Sequence, residues 1–198
     1  MPDTNLNSAA NVTAGKPKLT GAIFTAPIGT TLPTTATADL NSAFKCLGYI
    51  SEDGMKHEIT RETETVKDWG GNTVLTSQTE YEEKFTFTAL EMLKKEVLQV
   101  IFGDSNVTES STLRTIKGNA TELPSREWVF DMVMSNGKAR RIVVPSAKVS
   151  SVGEITYKNN EAVSTELEVT AVPDSNGNAS YTYDDITASG GSGGSGTS

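Results

Sequence analysis

Hydrophobic positions along the chain follow two periods, and each period predicts an element. In TEYEEKFTFT, Tyr81, Phe85 and Phe87 share one side with Thr79 and Glu83, while Glu80, Glu82, Lys84 and Thr86 take the other. Such period-two alternation predicts a half-buried strand. The period then changes at once. Leu90, Leu93, Val97, Val100 and Ile101 recur as a helical stripe. Thr88 as N-cap, Glu91 closing a capping box, Phe87 with Met92 as a staple and Gly103 as the stop predict one amphipathic helix of about 13 residues.

The rest reads as strands and connections. AFKCLGYI is the first strand, and Asp53-Gly54 after it signals a hairpin turn. A polar excursion at about 60 to 77, containing Trp69-Gly70-Gly71, reads as a long inter-strand loop. REWVFDMVMS and KARRIVVP flank Asn136-Gly137, whose two-residue loop puts Phe130 opposite Val143 and Met132 opposite Arg141. Trp128, Phe130 and Met132 on one face, with Val129 and Val133 on the other, give a hairpin apolar on both sides. This is more than one sheet face needs, so part of it is expected at a subunit contact. AKVSSVGEITY and EAVSTELEVTAV form a last hairpin across KNN; Val163, Leu167, Val169 and Ala171 point inward, and Ser164, Glu166, Glu168 and Thr170 outward.

These elements predict a mainly β fold: an antiparallel β-sandwich or barrel with one flanking α-helix, an extended N-terminal arm and a long inter-strand loop. The arm covers residues 1–40, rich in Thr, Ala, Asn and Pro; the β domain covers 41–186; residues 187–198 are a flexible Gly/Ser tail.

Composition narrows the function. The 198 residues carry 17 basic and 25 acidic side chains, a net charge of −8, which argues against gripping nucleic acid through its phosphates. Cys46 and His57 are the only residues of their kinds, which excludes a disulfide, a zinc site built from Cys and His, and a Cys-His nucleophile pair. Cys46 reads as a buried structural thiol. Acidic pairs such as Glu52-Asp53 and Asp184-Asp185 read as solvated charge. Lys138 to Arg141 is the one basic cluster, read as a hairpin tip that keeps an edge soluble. No apolar run approaches the roughly 20 residues that span a bilayer, and no signal peptide is evident. No phosphate loop, nucleophile elbow or calcium loop is present, so neither an enzyme nor a cofactor is expected.

Taken in order, TGAIFTAPIGTTLPT, AFKCLGYISEDG, VKDWGGNTV, FTFTALEMLKKEVLQVIFG and STELEVTAVPDSNG resemble the major tail protein, or tail tube protein, of long-tailed, non-contractile bacteriophages. The resemblance implies a structural virion protein of the tail, made in the host bacterial cytoplasm. It implies homohexameric rings that stack into a tube for genome ejection, through which DNA passes without specific binding. The implied partners are the chain itself, a tape measure protein, and tail terminator and tip proteins, with no membrane. The long loop then reaches toward neighbouring subunits, and Trp69 on its Gly70-Gly71 hinge becomes an inter-subunit contact; folding back as an anchor on its own domain is the competing reading. Glu80, Glu82, Glu166 and Glu168 become candidates for lumen-facing charge, with solvent-facing positions on the outer wall as the alternative. The inner tube of a contractile injection or secretion system and a β-sandwich binding module are the other functional readings.

Overall fold

The computed structural model describes residues 7–18 and 21–187, so the Gly/Ser tail from 188 onward, and the first six residues of the arm, lie outside the described residues. In chain order the elements are strands β1 (Gly15–Pro17), β2 (Ile23–Pro27), β3 (Lys45–Cys46), β4 (Ile50–Lys67) and β5 (Thr73–Ala89), helix α1 (Lys95–Phe102), and strands β6 (Val107–Glu109), β7 (Arg114–Ile116), β8 (Arg126–Met134), β9 (Ala139–Val152), β10 (Thr165–Ala171) and β11 (Tyr181–Asp184). Nine strands form one antiparallel sheet, ordered β3-β2-β8-β9-β10-β5-β4, with β1 on the edge of β8 and β11 on the edge of β9. β6 and β7 form a separate small hairpin.

The sheet curls over its own core. β8 and β5 are three places apart in the strand order, which in a flat sheet separates them by roughly 14 Å. Yet the rings of Phe85 and Phe130 stack with centroids 4.8 Å apart, and Phe87 lies 6.1 Å from Trp128. Phe85, Phe87, Leu167 and Val169 therefore face Ile23, Trp128, Phe130 and Val144 across one apolar interior, which Val97, Val100 and Ile101 of α1 complete. The fold is the mainly β, sandwich-type architecture that the patterning predicts, with α1 the one α-helix among the described residues.

The second face of the β8–β9 hairpin is covered by the same chain. The segment 28–44 crosses it, so that Leu32, Leu40 and Phe44 pack with Ala26, Val129, Val143, Tyr181 and Tyr183. A buried ion pair fastens this cover. Arg141 donates from Nε and Nη2 to the two carboxylate oxygens of Asp131 at 2.6 and 2.8 Å, and from Nη1 to the carbonyls of Thr35 and Ala38 at 3.1 and 2.7 Å. The segment expected as an arm thus contributes a strand, Ile23–Pro27, with Ile23 and Ala26 in the core.

Several local expectations are corrected. The excursion at 60 to 77 is not a loop: β4 and β5 pair through it, as far as Lys67 opposite Thr73. Threonine-rich strand, exposed on both faces, carries no hydrophobic alternation to read. Asp53-Gly54 is not a turn but lies inside β4, at the irregularity between Ile50 and Met55, where Gly54 takes φ 73°. The helix is eight residues long. Strand pairing captures its expected first turn: Thr88 is in β5 opposite Glu166, and the Glu91 carboxylate accepts the Tyr49 N–H at 2.9 Å instead of closing a capping box. Gly103 does stop the helix, at φ 94°, and donates its N–H to the Gln99 carbonyl.

The β8–β9 register is one residue from expectation, with Phe130 opposite Ile142 and Met132 opposite Arg140. The Gly137 N–H bonds the Met134 carbonyl, Gly137 takes φ 79°, and Met134 closes onto Lys138, which makes a three-residue loop with a glycine bulge. β9 and β10 pair antiparallel as expected, but the ladder ends at Val152 rather than running to KNN. AFKCLGYI keeps only Lys45–Cys46 as strand before β4, and Cys46 is half-buried rather than buried.

Candidate assembly surfaces

The tip of the β4–β5 hairpin is a built turn. The Asp68 carboxylate accepts the Asn72 backbone N–H at 2.8 Å and its side-chain N–H at 3.1 Å. Asp68 N–H reaches the Asn72 carbonyl and Gly71 N–H the Asp68 carbonyl, with Gly71 at φ 86°. The Asn72 side chain, with the backbone donors of the turn, holds the Asp68 carboxyl below its ordinary range. Aspartate and asparagine thus brace the two glycines, and Trp69 projects from between them wholly exposed, at 106 % relative accessibility. It makes no anchoring contact with its own domain. The Gly70-Gly71 backbone beside Trp69 is therefore a tight turn rather than a hinge.

Below the tip, every residue from 61 to 80 is exposed. β10 pairs with β5 only from Lys84 to Ala89, so the stretch Thr73–Glu83 has one neighbour, β4, and extends roughly 30 Å past the last β10 pairing.

Strand register brings the four candidate glutamates onto one face. Glu166 and Glu168 stand opposite Thr88 and Thr86 of β5, on the side shared by Lys84, Glu82 and Glu80. β4 adds Lys56, Glu58 and Glu62 through the pairs Lys56–Thr86, Glu58–Lys84 and Glu62–Glu80. This polar face is the reverse of the one that Phe85, Phe87, Leu167 and Val169 bury. Lys84 binds Glu82 at 3.1 Å, and this contact raises its pKa; Glu168 accepts from Ser150 at 2.9 Å. Glu62 directly opposite Glu80 is a like-charge pair, unfavourable in an isolated sheet.

The other predicted contact residues are corrected. Trp128 and Phe130 are 0 and 1 % exposed, inside the core, and Met132 packs against it. Both faces of their hairpin are filled by the chain itself, so the excess of apolar residues there is no sign of a partner. The basic cluster is also spent internally: Arg141 is buried with Asp131, and Arg140 makes two bonds to Asp184 at 2.6 and 2.7 Å. The signal for this was Asp131, an acidic residue inside the apolar run 128–134.

One buried polar cluster escaped sequence reasoning. Glu83, 4 % exposed, lies on the core face, bonded to Tyr81 and to His57 at 3.0 Å, while His57 stacks on Phe85 at 4.3 Å. Burial pushes the Glu83 carboxyl up, but hydrogen bonds from Ser180, Tyr81 and His57 outweigh it and hold the group below its ordinary range. The cluster is closed off by its own partners, and no group of three or more His, Cys, Asp or Glu that could hold a metal exists among the described residues. No helix among them is long and apolar enough to cross a membrane.

Comparison with known proteins gives the family. No curated protein matches. Among solved structures, the anti-feeding prophage cap (AFP tube terminating cap) aligns at TM-score 0.44 and 11 % identity over 93 % of this chain and all of that one. The sheath-tube complex of the PVC extracellular contractile injection system, in its extended state, aligns at TM-score 0.44 and 9 % identity, covering 83 % of this chain and 89 % of that one. Likenesses this distant carry no functional weight. The family model described as phage tail tube protein, however, matches residues 4–190, nearly the whole sequence, and the chain belongs to that family.

Proposed function

We propose that the protein forms homohexameric rings that stack into the tail tube of a long-tailed, non-contractile phage, the conduit for its genome. Family membership makes it a structural component of the virion tail and not an enzyme. The observation that carries the assembly is the distal β4–β5 hairpin: two strands with both faces and both long edges open, tipped by an exposed Trp69. A two-stranded ribbon of this kind is marginal in water, so it needs a neighbour to be worth building. The polar face carrying Glu80, Glu82, Glu166 and Glu168 supports a lumen wall, because sixfold repetition of a mainly acidic surface repels phosphate and leaves DNA nothing to hold. A tape measure protein inside the tube, and terminator and tip proteins at its ends, are the partners this reading requires.

Negative-stain microscopy of concentrated protein tests it. Hexameric rings and stacked tubes are expected; monomers at every concentration overturn the reading. Sheath subunits bound along tubes isolated from particles would move the assignment to a contractile system.

A further inference from the structure

Where the β4–β5 hairpin leaves the sandwich, the sheet buries a charge. β10 stops pairing with β5 at Lys84, so beyond that point β4 and β5 have only each other. A ribbon with two open edges has no lateral support and is marginal in water. The alternation of Phe87 and Phe85 calls for a third apolar side chain at position 83, yet the residue there is Glu83, with its side chain buried on the core face. A leucine in its place would bury apolar surface without the cost of desolvating a carboxylate.

Three segments converge on that carboxylate. It accepts from the Tyr81 hydroxyl on its own strand, bonds His57 Nε2 of β4 at 3.0 Å, and takes a hydrogen bond from Ser180, between β10 and β11. His57 is also tied inward. Its ring stacks on Phe85 at 4.3 Å, and Phe85 stacks on Phe130 of β8 at 4.8 Å, so an aromatic column runs from the edge strand β4 to β8 across the core. Outward, Arg61 lies over the Tyr81 ring at 4.5 Å and donates to Gln78 at 3.1 Å. One continuous set of contacts thus links Phe130 in the body to Gln78 in the ribbon, and it passes through Glu83.

We infer that Glu83 is a positioning residue: with His57, Tyr81 and Ser180 it forms a joint that fixes the direction in which the distal hairpin leaves the sandwich. The bearing of this joint on assembly rests on the tube reading, in which the hairpin meets a neighbour at one angle; the joint itself is a property of the free subunit. Apolar contacts alone would let the ribbon rock, because the hydrophobic effect has no direction. Hydrogen bonds to a carboxylate are strong and weaken steeply away from their preferred angles, so donors arriving from three segments favour one orientation. This gives a reason for a buried charge where the pattern asks for an apolar residue.

Distances between two spin labels on the full-length chain, below any concentration at which it assembles, test this. One label goes on Ser77 in the ribbon and the other on Ser151 of β9, both exposed, in a Cys46→Ser background that keeps an acceptor for the Gly48 N–H. The intact joint is expected to give one narrow distance distribution, and Glu83→Leu one about twice as wide or wider. Tyr81→Phe and Ser180→Ala each delete a single hydroxyl donor, leave the core filled, and are expected to widen it less. Val100→Ala, a truncation of the core on α1, is expected to lower the unfolding midpoint yet leave the distribution narrow. The joint is overturned by a distribution that is already wide with Glu83 in place, by one that stays narrow in all three joint variants, or by equal widening in Val100→Ala. Each of these results leaves the tube reading intact. A chain that stays monomeric at every concentration overturns the tube reading alone, since the distances are measured without assembly.

Discussion

Trp69 and Trp128 are the same residue type in opposite positions, and their neighbours explain why. Trp128 follows Glu127 in a strand buried on both sides, whereas Trp69 occupies the turn of a ribbon with nothing packed on it. Arg141 shows the reverse error: a residue expected at a soluble tip is sealed in the core by Asp131. Replacing Arg141 by Met leaves the buried Asp131 carboxylate with only Lys18, 3.9 Å away, as a charged partner, and is expected to cost about 3–5 kcal/mol in denaturant unfolding. The double change Arg141→Met with Asp131→Leu is expected to recover most of that loss; no recovery would mean that the Arg141 bonds to Thr35 and Ala38, not the ion pair, hold the segment. Glu83 belongs to the same scale. Its carboxyl is held low, so its stabilising contribution is complete above the unfolded value of about 4.3 and is lost as pH falls through the lower folded value. Glu127 runs the other way, because burial raises its carboxyl. The Glu83 contribution is therefore read as a difference: unfolding midpoints of wild type and Glu83→Gln are expected to lie furthest apart near neutral pH and to converge below about pH 4. A constant gap across that range would remove the assignment.

At the scale of elements, the β4–β5 hairpin and α1 show what competes with local preference. Thr88, Glu91 and Gly103 offer a plausible helix frame, but pairing of Thr88 with Glu166 satisfies that residue's backbone in the sheet, and the helix starts a turn and a half later. The hairpin is the opposite case, built where apolar periodicity is missing. Its order comes from threonines, a ladder to β4 that runs as far as Lys67 opposite Thr73 with register shifts at Glu62/Thr63 and Val66/Lys67, and the Asp68–Asn72 turn. Among the described residues four glycines use the same device: Gly21, Gly71, Gly137 and Gly177 each take positive φ and bond back to the residue three before. Lacking a packed face, residues 60–80 are expected to exchange their amide hydrogens orders of magnitude faster than Phe85 and Phe87 in the free subunit, and to gain protection in tubes. Equal protection in both states, measured by mass spectrometry, would show that the hairpin is stable without neighbours.

On the scale of the whole molecule, curling of the sheet turns one face wholly inward and leaves the reverse of β4, β5 and β10 bare. That bare face carries Glu80, Glu82, Glu166 and Glu168 together, so the two pairs share a fate: all four line the tube or none does. Reversing Glu166 and Glu168 to Lys is expected to leave tubes intact, since both side chains point away from the core, while genome ejection from assembled particles slows or stalls. Ejection at the wild-type rate would place this face outside. Much of the plan was determined by sequence alone, because it rests on local periodicity: the strand at Tyr81–Phe87, the inward set of Leu167, Val169 and Ala171, the glycine that ends the helix, and the antiparallel β class all follow from which side chains water excludes. Tertiary structure decided what local pattern cannot hold. Whether Trp128 and Phe130 met a partner or Phe85 and Phe87 depended on strands more than 40 residues away in sequence folding over them. Whether Arg141 was surface or core depended on segment 28–44 crossing it, and whether Trp69 was buried depended on there being nothing to cross it at all. Burial is a property of pairs of segments, and a single segment encodes only its own half.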